Sequence, residues 1–120
     1  SMASDCPLMD RLPDALVFQL RAAGEIVVDL TVRNLAMSSA MTVHHERKAD
    51  SKQQSGSERV TARCIDLLRL LESEKVKDRL EKLLEATNGE GADVKFLERW
   101  GYDNAQKLAI ASSINSIAEG

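Results

Sequence analysis

The sequence predicts an all-α fold, a compact bundle of six to seven helices. Three features point there. The chain of 120 residues is 43% hydrophobic but holds only four aromatics, Phe18, Phe96, Trp100 and Tyr102. Its core must therefore come from Leu, Val, Ile, Met and Ala, which suits helices packed on helices. No Gly or Pro occurs between residues 25 and 54, so a strand meander would lack its turns. In the second half, apolar residues recur three and four apart, the spacing of one helix face.

Residues 1–12 read as a loose lead, with Ser1-Met2 resembling a cloning remnant ahead of a start methionine. From Pro13 the apolar pattern thickens. Leu16, Leu20, Ala23, Val27, Leu30, Asn34, Met37 and Met41 follow a 4-3-4-3 spacing, which predicts one or two helices presenting a stripe. Gly24 is expected to bend or interrupt that run. Residues 25–33 also alternate like a β-strand through Ile26, Val28, Leu30 and Val32. Helix is preferred there, because a lone hairpin would find no sheet to join.

ADSKQQSGS, residues 49–57, reads as a polar loop, with Ser57 positioned to cap the next helix. Over 58–72, Val60, Cys64, Leu67 and Leu71 share a face that Leu68 widens. A further helix at 74–87 turns Val76, Leu80, Leu83 and Leu84 inward. Asn88-Gly89-Glu90-Gly91 should end it, since glycine enters the left-handed turn at little cost. A short helix at about 92–100 stops at Gly101. Asp103 and Gln106 have the spacing of a capping box ahead of a helix at 104–118, whose inward residues are read as Leu108, Ala111, Ile114 and Ile117. The division is thus a bundle over 13–100 and an additional packed helix over 101–120.

Little in the chain suggests catalysis, and no enzyme activity is expected. Adjacent His44 and His45 point about 100° apart on a helix, unlike an i, i+4 metal pair. Cys64 falls on the core face, where a structural thiol is the simplest reading. Gly89 and Gly91 lack the lysine and flanking strand of a phosphate loop. No metal or cofactor is expected. The net charge of −3, with no long basic cluster, argues against nucleic acid. No apolar run looks long enough to span a membrane. Two cysteines without a spacing motif suggest free thiols and a cytoplasmic setting.

The run SGSERVTARCIDLLRLLES followed by KVKDRLEKLLEATNGEGADVKFLER resembles the second half of a caspase-recruitment domain, a member of the death-fold superfamily. Val60, Cys64, Leu67, Leu68 and Leu71 match the apolar positions of its fourth helix. Leu80, Leu83 and Leu84 match the fifth, and Val94 and Leu97 the sixth. Upstream, residues 29–42 can be read as the second helix and its turn, with His45-Glu46-Arg47 beginning the third. The resemblance implies a six-helix Greek key that acts as an adaptor in apoptotic or innate-immune signalling. Such a domain joins its own kind through charged patches and needs no cofactor. Arg59 and Arg63, with Arg21 as neighbour, would form the basic patch. Asp29, Glu46 and Asp50 would form the acidic one. The plainer reading of each is a solvated surface charge.

Trp100-Gly101-Tyr102-Asp103-Asn104-Ala105-Gln106 resembles the loop and second helix of a ubiquitin-associated domain. That likeness implies a peptide- or ubiquitin-binding module using Trp100 and Tyr102. Expected partners are therefore proteins, including a second copy of the chain. Asn34, within the apolar stripe, could set register in a coiled coil, although a break between two helices is preferred.

Overall fold

The computed structural model describes residues 13–16, 19, 24–71 and 73–119. Among them are five principal helices and no strand: α1 Glu25–Arg47, α2 Ser51–Leu70, α3 Ser73–Thr87, α4 Val94–Arg99 and α5 Asn104–Glu119. The all-α expectation holds, and residues 25–33 are helical.

Gly24 stands at the N-terminal end of α1 with a φ of 66°, a backbone conformation outside the helix that glycine adopts freely. It then runs 23 residues without a break. The expected turn near residues 41–45 is absent, because nothing between Glu25 and Arg47 stops a helix. The second and third helices implied by the resemblance are here one. α1 is also long and apolar enough to cross a membrane by length and composition alone. Thr31, Asn34, Ser38, Ser39 and Thr42 break up the apolar run and hide this in the sequence. Three of them bond back to their own helix: the hydroxyls of Thr31, Ser38 and Thr42 donate to the carbonyls of Val27, Leu35 and Ser38. Such back-bonding lets a hydroxyl sit in a helix without an unmet donor.

A turn at residues 48–50 folds α2 back along α1. Ala49, at φ 55°, occupies the left-handed position where glycine is usual. The Asp50 amide donates to His45 O at 2.9 Å, closing α1. The Asp50 carboxylate then accepts from the Gln53 amide at 3.2 Å, opening α2. One residue thus serves both helix ends. This overturns the loop expected at 49–57. α2 starts at Ser51, and Ser57 lies inside it, its carbonyl accepting from the Thr61 hydroxyl at 3.1 Å. The serines and Gly56 are weak helix formers, but a capped start and a long partner outweigh weak propensity.

α3 ends as the sequence predicts. Gly89 turns left-handed at φ 86°, and the Glu90 amide reaches Glu85 O at 3.0 Å. Gly101 likewise closes α4. The capping box at α5 is complete: the Asp103 amide donates to Gln106 Oε1, and the Gln106 amide to Asp103 Oδ1, each at 3.0 Å.

α1 packs against α2, α5 and α3, while α5 also touches α3 and α2. α5 runs antiparallel to α1. Asp103 pairs with Arg47, Gln106 with Ala40 O, and Ser113 with Ser39. The core joins Val28, Val32, Leu35, Ala36 and Ala40 of α1 to Cys64, Leu67 and Leu68 of α2. Val76, Leu80, Leu83 and Ala86 of α3, Leu97 of α4, and Ile110 and Ile114 of α5 complete it.

Two helices are rotated from their expected facing. In α1 the buried side is rich in Ala, Ser and Thr, and the predicted stripe members Leu30 and Met41 are exposed. Small residues let neighbouring backbones approach closely: Ser38 bonds Thr61 of α2 and Ser39 bonds Ser113 of α5, both at 2.7 Å. In α5, Leu108 is 71% exposed and Ile110 is buried. The Gln106 side chain donates to Ala40 O at 3.2 Å, fixing 106, 110 and 113 on the inner side. Leu108 lies about 200° around the helix from Gln106.

Candidate protein-interaction surface

The structure separates the expected charged patch. Arg21 lies outside the described residues. Arg59 is on the exposed side of α2, but Arg63, one turn later, is only 7% exposed. Arg63 is therefore not available as half of a basic shoulder. It sits at the edge of the core face, and burial of its aliphatic stem is the packing use of a long cationic side chain.

The acidic set is divided as well. Glu46 and Asp50 are exposed at the α1–α2 turn, where Asp50 is engaged as a cap. Asp29 is 17 residues before Glu46, about 26 Å along the helix. Asp29 is committed inside the molecule: it accepts from Arg79 Nε at 2.9 Å and pairs with Arg33 at 3.2 Å.

That second ion group escaped the sequence reading. Arg79 of α3 is 13% exposed at its side chain and grips Asp93 through both Nη atoms while holding Asp29 through Nε. It ties α1, α3 and the turn before α4 together. A charge this buried needs partners on every donor side, and two carboxylates supply them. The signal was present: Arg79 falls on the same helical face as Val76, Leu83 and Ala86, a cation in the middle of an inward stripe. Around it lies a polar cleft that Lys75, Asp78 and Lys82 also line, its charges of both signs close together.

The aromatic turn is split in the same manner. Trp100 is 51% exposed, whereas Tyr102 is half-buried and packed on the core. Burial raises the Tyr102 phenol above its usual pKa. Beside them, Asp103 is held below the ordinary carboxylate range, chiefly by the hydrogen bond from Arg47. The Arg47 guanidinium is raised by the same bond.

An apolar opening lies elsewhere, a groove of about 640 Å³ between the end of α2, α3 and α5. Leu71, Val76, Leu80, Leu84, Ile114 and Ile117 form its walls, with Arg69, Lys77 and Glu81 at the rim. Arg69 crosses to α5 and donates to Ser116 O at 2.6 Å. Further apolar surface lies on α1, where Ile26 is 72% and Leu30 56% exposed.

Every buried side-chain polar atom among the described residues has a hydrogen-bond partner. His44 and His45 meet edge to face, ring centroids 5.4 Å apart. Among the described residues no three His, Cys, Asp or Glu side chains gather as a metal set. Burial pushes the Cys64 thiol up to about 12, which keeps it protonated and a poor nucleophile at neutral pH.

Residues 1–117 match the family described as uncharacterised conserved protein UCP020893. The chain belongs to that family. No curated protein and no solved structure matches it. Family membership thus brings no activity with it.

Proposed function

We propose that the chain is a non-enzymatic protein-interaction domain, an adaptor that works by association on a rigid helical bundle. The observation that carries this reading is the placement of large apolar side chains. Ile26, Leu30, Trp100 and Leu108 stand at the surface, and the α3–α5 groove is apolar, while the buried side-chain polar atoms among the described residues all have hydrogen-bond partners. Exposed apolar area of this kind favours contact with another macromolecule. A cytoplasmic setting belongs to the same reading, with Cys64 as a free, buried thiol.

Within that class we favour homotypic association, the form implied by the caspase-recruitment resemblance. Its apolar positions fall on the inner sides of α2, α3 and α4: Cys64, Leu67 and Leu68, then Leu80 and Leu83, then Leu97. The unbroken α1 does not fit the second and third helices of a death-fold Greek key, so the proposal rests on association and not on that topology. Arg59, Glu46 and Asp50 remain the exposed charges through which a patch-to-patch contact would act.

Light scattering after size exclusion, over a range of protein and salt concentration, tests this. Mass should rise above the 13.2 kDa of one chain as concentration increases. Growth that salt suppresses and Arg59→Glu abolishes would support the charged patch. A single-chain mass under every condition contradicts homotypic association.

A second reading is favoured by one observation, the half-exposed Trp100. As a ubiquitin or peptide reader, the chain would change its indole fluorescence when ubiquitin is added. Unchanged fluorescence and unchanged ubiquitin amide signals would dismiss it.

A further inference from the structure

α1 carries two apolar arcs, and the bundle covers only one of them. Its inward arc carries Val28, Val32, Leu35, Ala36 and Ala40. The opposite arc carries Ile26, Leu30, Met37 and Met41, with Ile26, Leu30 and Met41 exposed and Met37 half-buried. At 100° per residue these four fall within about 60° of one another, a straight outer stripe. Large apolar side chains gathered on one exposed face favour contact with another macromolecule. Arg33 is the charge beside the stripe, and it is drawn away from it. Its guanidinium pairs with Asp29 at 3.2 Å and stands 5.8 Å from the Phe96 ring centre.

We infer that this outer face of α1 is the contact between two copies of the chain, packed antiparallel about a two-fold axis. The inference rests on the homotypic reading above and assigns it an apolar surface in place of the charged one. The stripe is self-complementary in that arrangement. Ile26 of one copy meets Met41 of the other, and Leu30 meets Met37, each pair occurring twice about a centre between residues 33 and 34. A two-fold contact requires such reciprocity. In a parallel pair the branched residues would face each other at one end and the methionines at the other.

The size of the face sets the strength. α1 is about 34 Å long and a helix about 10–12 Å wide, so two copies bury roughly 700–800 Å² together. That is below the range of stable specific interfaces and suits a weak, transient contact. The dimer should therefore be weak, forming at tens of micromolar and dissociating on dilution. Being apolar, it should persist at high salt, opposite to a charged patch.

Sedimentation equilibrium from about 5 to 500 µM reads the association, and cysteine pairing reads its geometry. Mass should approach twice 13.2 kDa at the upper concentrations, in 0.5 M as in 0.05 M salt. Leu30→Glu, at a site that is exposed and outside the core, should return the chain to a monomer with unchanged helical circular dichroism. In a Cys6→Ser background, a mixture of Leu30→Cys and Met37→Cys chains should form a disulfide across the pair. Leu30→Cys alone should not, because antiparallel packing offsets residue 30 from its own copy by about 10 Å along the axis, beyond disulfide reach.

Association that survives Leu30→Glu overturns the assigned surface but leaves homotypic association standing. Cross-linking of Leu30→Cys to itself overturns the antiparallel arrangement. A monomer throughout overturns both, and a monomer that instead sediments with phosphatidylcholine vesicles assigns the stripe to a membrane surface.

Discussion

Replacing Arg79 with alanine should destabilise the fold more than any other single change to a charged residue. Arg79 is mostly buried and binds Asp93 with two nitrogens and Asp29 with a third. Its removal takes the bidentate partner from the Asp93 carboxylate in a site nearly as buried, and a broken buried pair costs about 3–5 kcal/mol. The Asp29 arm is more exposed and retains Arg33, so its share is below about 1 kcal/mol. A loss of about 3 kcal/mol is expected, out of a total of roughly 5–15 kcal/mol. That lowers the melting temperature by about 12 °C for a domain of this size. Urea unfolding followed by circular dichroism at 222 nm reads it directly, with an unchanged slope if the native state is otherwise intact. The Arg79→Ala and Asp93→Ala effects should be less than additive when combined, with coupling of about 2 kcal/mol. A loss under about 1 kcal/mol, or plain additivity, would refute the view that this cluster joins α1, α3 and the α4 turn.

Three other outcomes are expected. Ala49→Gly should raise stability by about 1 kcal/mol in the same urea assay, because Ala49 holds a left-handed φ that costs an L side chain about that much. Ile110→Ala should cost about 3 kcal/mol, and Leu108→Gln should stay within about 0.5 kcal/mol of wild type; the reverse order would mean α5 is turned the other way. Stability should fall as pH rises above about 8.5, where the unfolded Cys64 thiol ionises while the folded one stays protonated up to about 12. The unfolded state then binds fewer protons, so the slope is negative, approaching about 1.4 kcal/mol per pH unit. Cys64→Ala should flatten that slope in urea melts between pH 8.5 and 11, and Tyr102, also raised, adds a smaller change of the same sign.

How far the sequence reveals this fold depends on whether the signal is local. The stops at Gly89 and Gly101, the start at Gly24 and the Asp103–Gln106 box are legible because each is a few residues acting on their own backbone. The helical start of α2 is not, since SKQQSGS has weak propensity and is held by the Asp50 cap and by α1. Facing is harder still. α1 carries two apolar arcs, and residue type alone favours the one with larger side chains. The buried arc instead uses Ala, Ser and Thr, which only a close neighbour makes sensible. Arg63 and Arg79 show the same limit for charge: Arg63 reads as a surface cation and Arg79 draws no notice, and both are largely buried once α2 and α3 are packed. The proposed interaction surface follows suit, with the charged patch expected around Arg59 and Arg63 divided and an apolar stripe on α1 brought out.

Amide chemical shifts recorded during dilution of the protein from about 1 mM to 20 µM test the central claim most directly. If the chain acts by associating through an apolar helix face, the signals that move will be those of Ile26, Leu30, Arg33, Met37 and Met41, while Leu67, Leu83 and Ile110 stay still. Signals that do not move at any concentration, or that move only around Arg59 and Asp50, would contradict it.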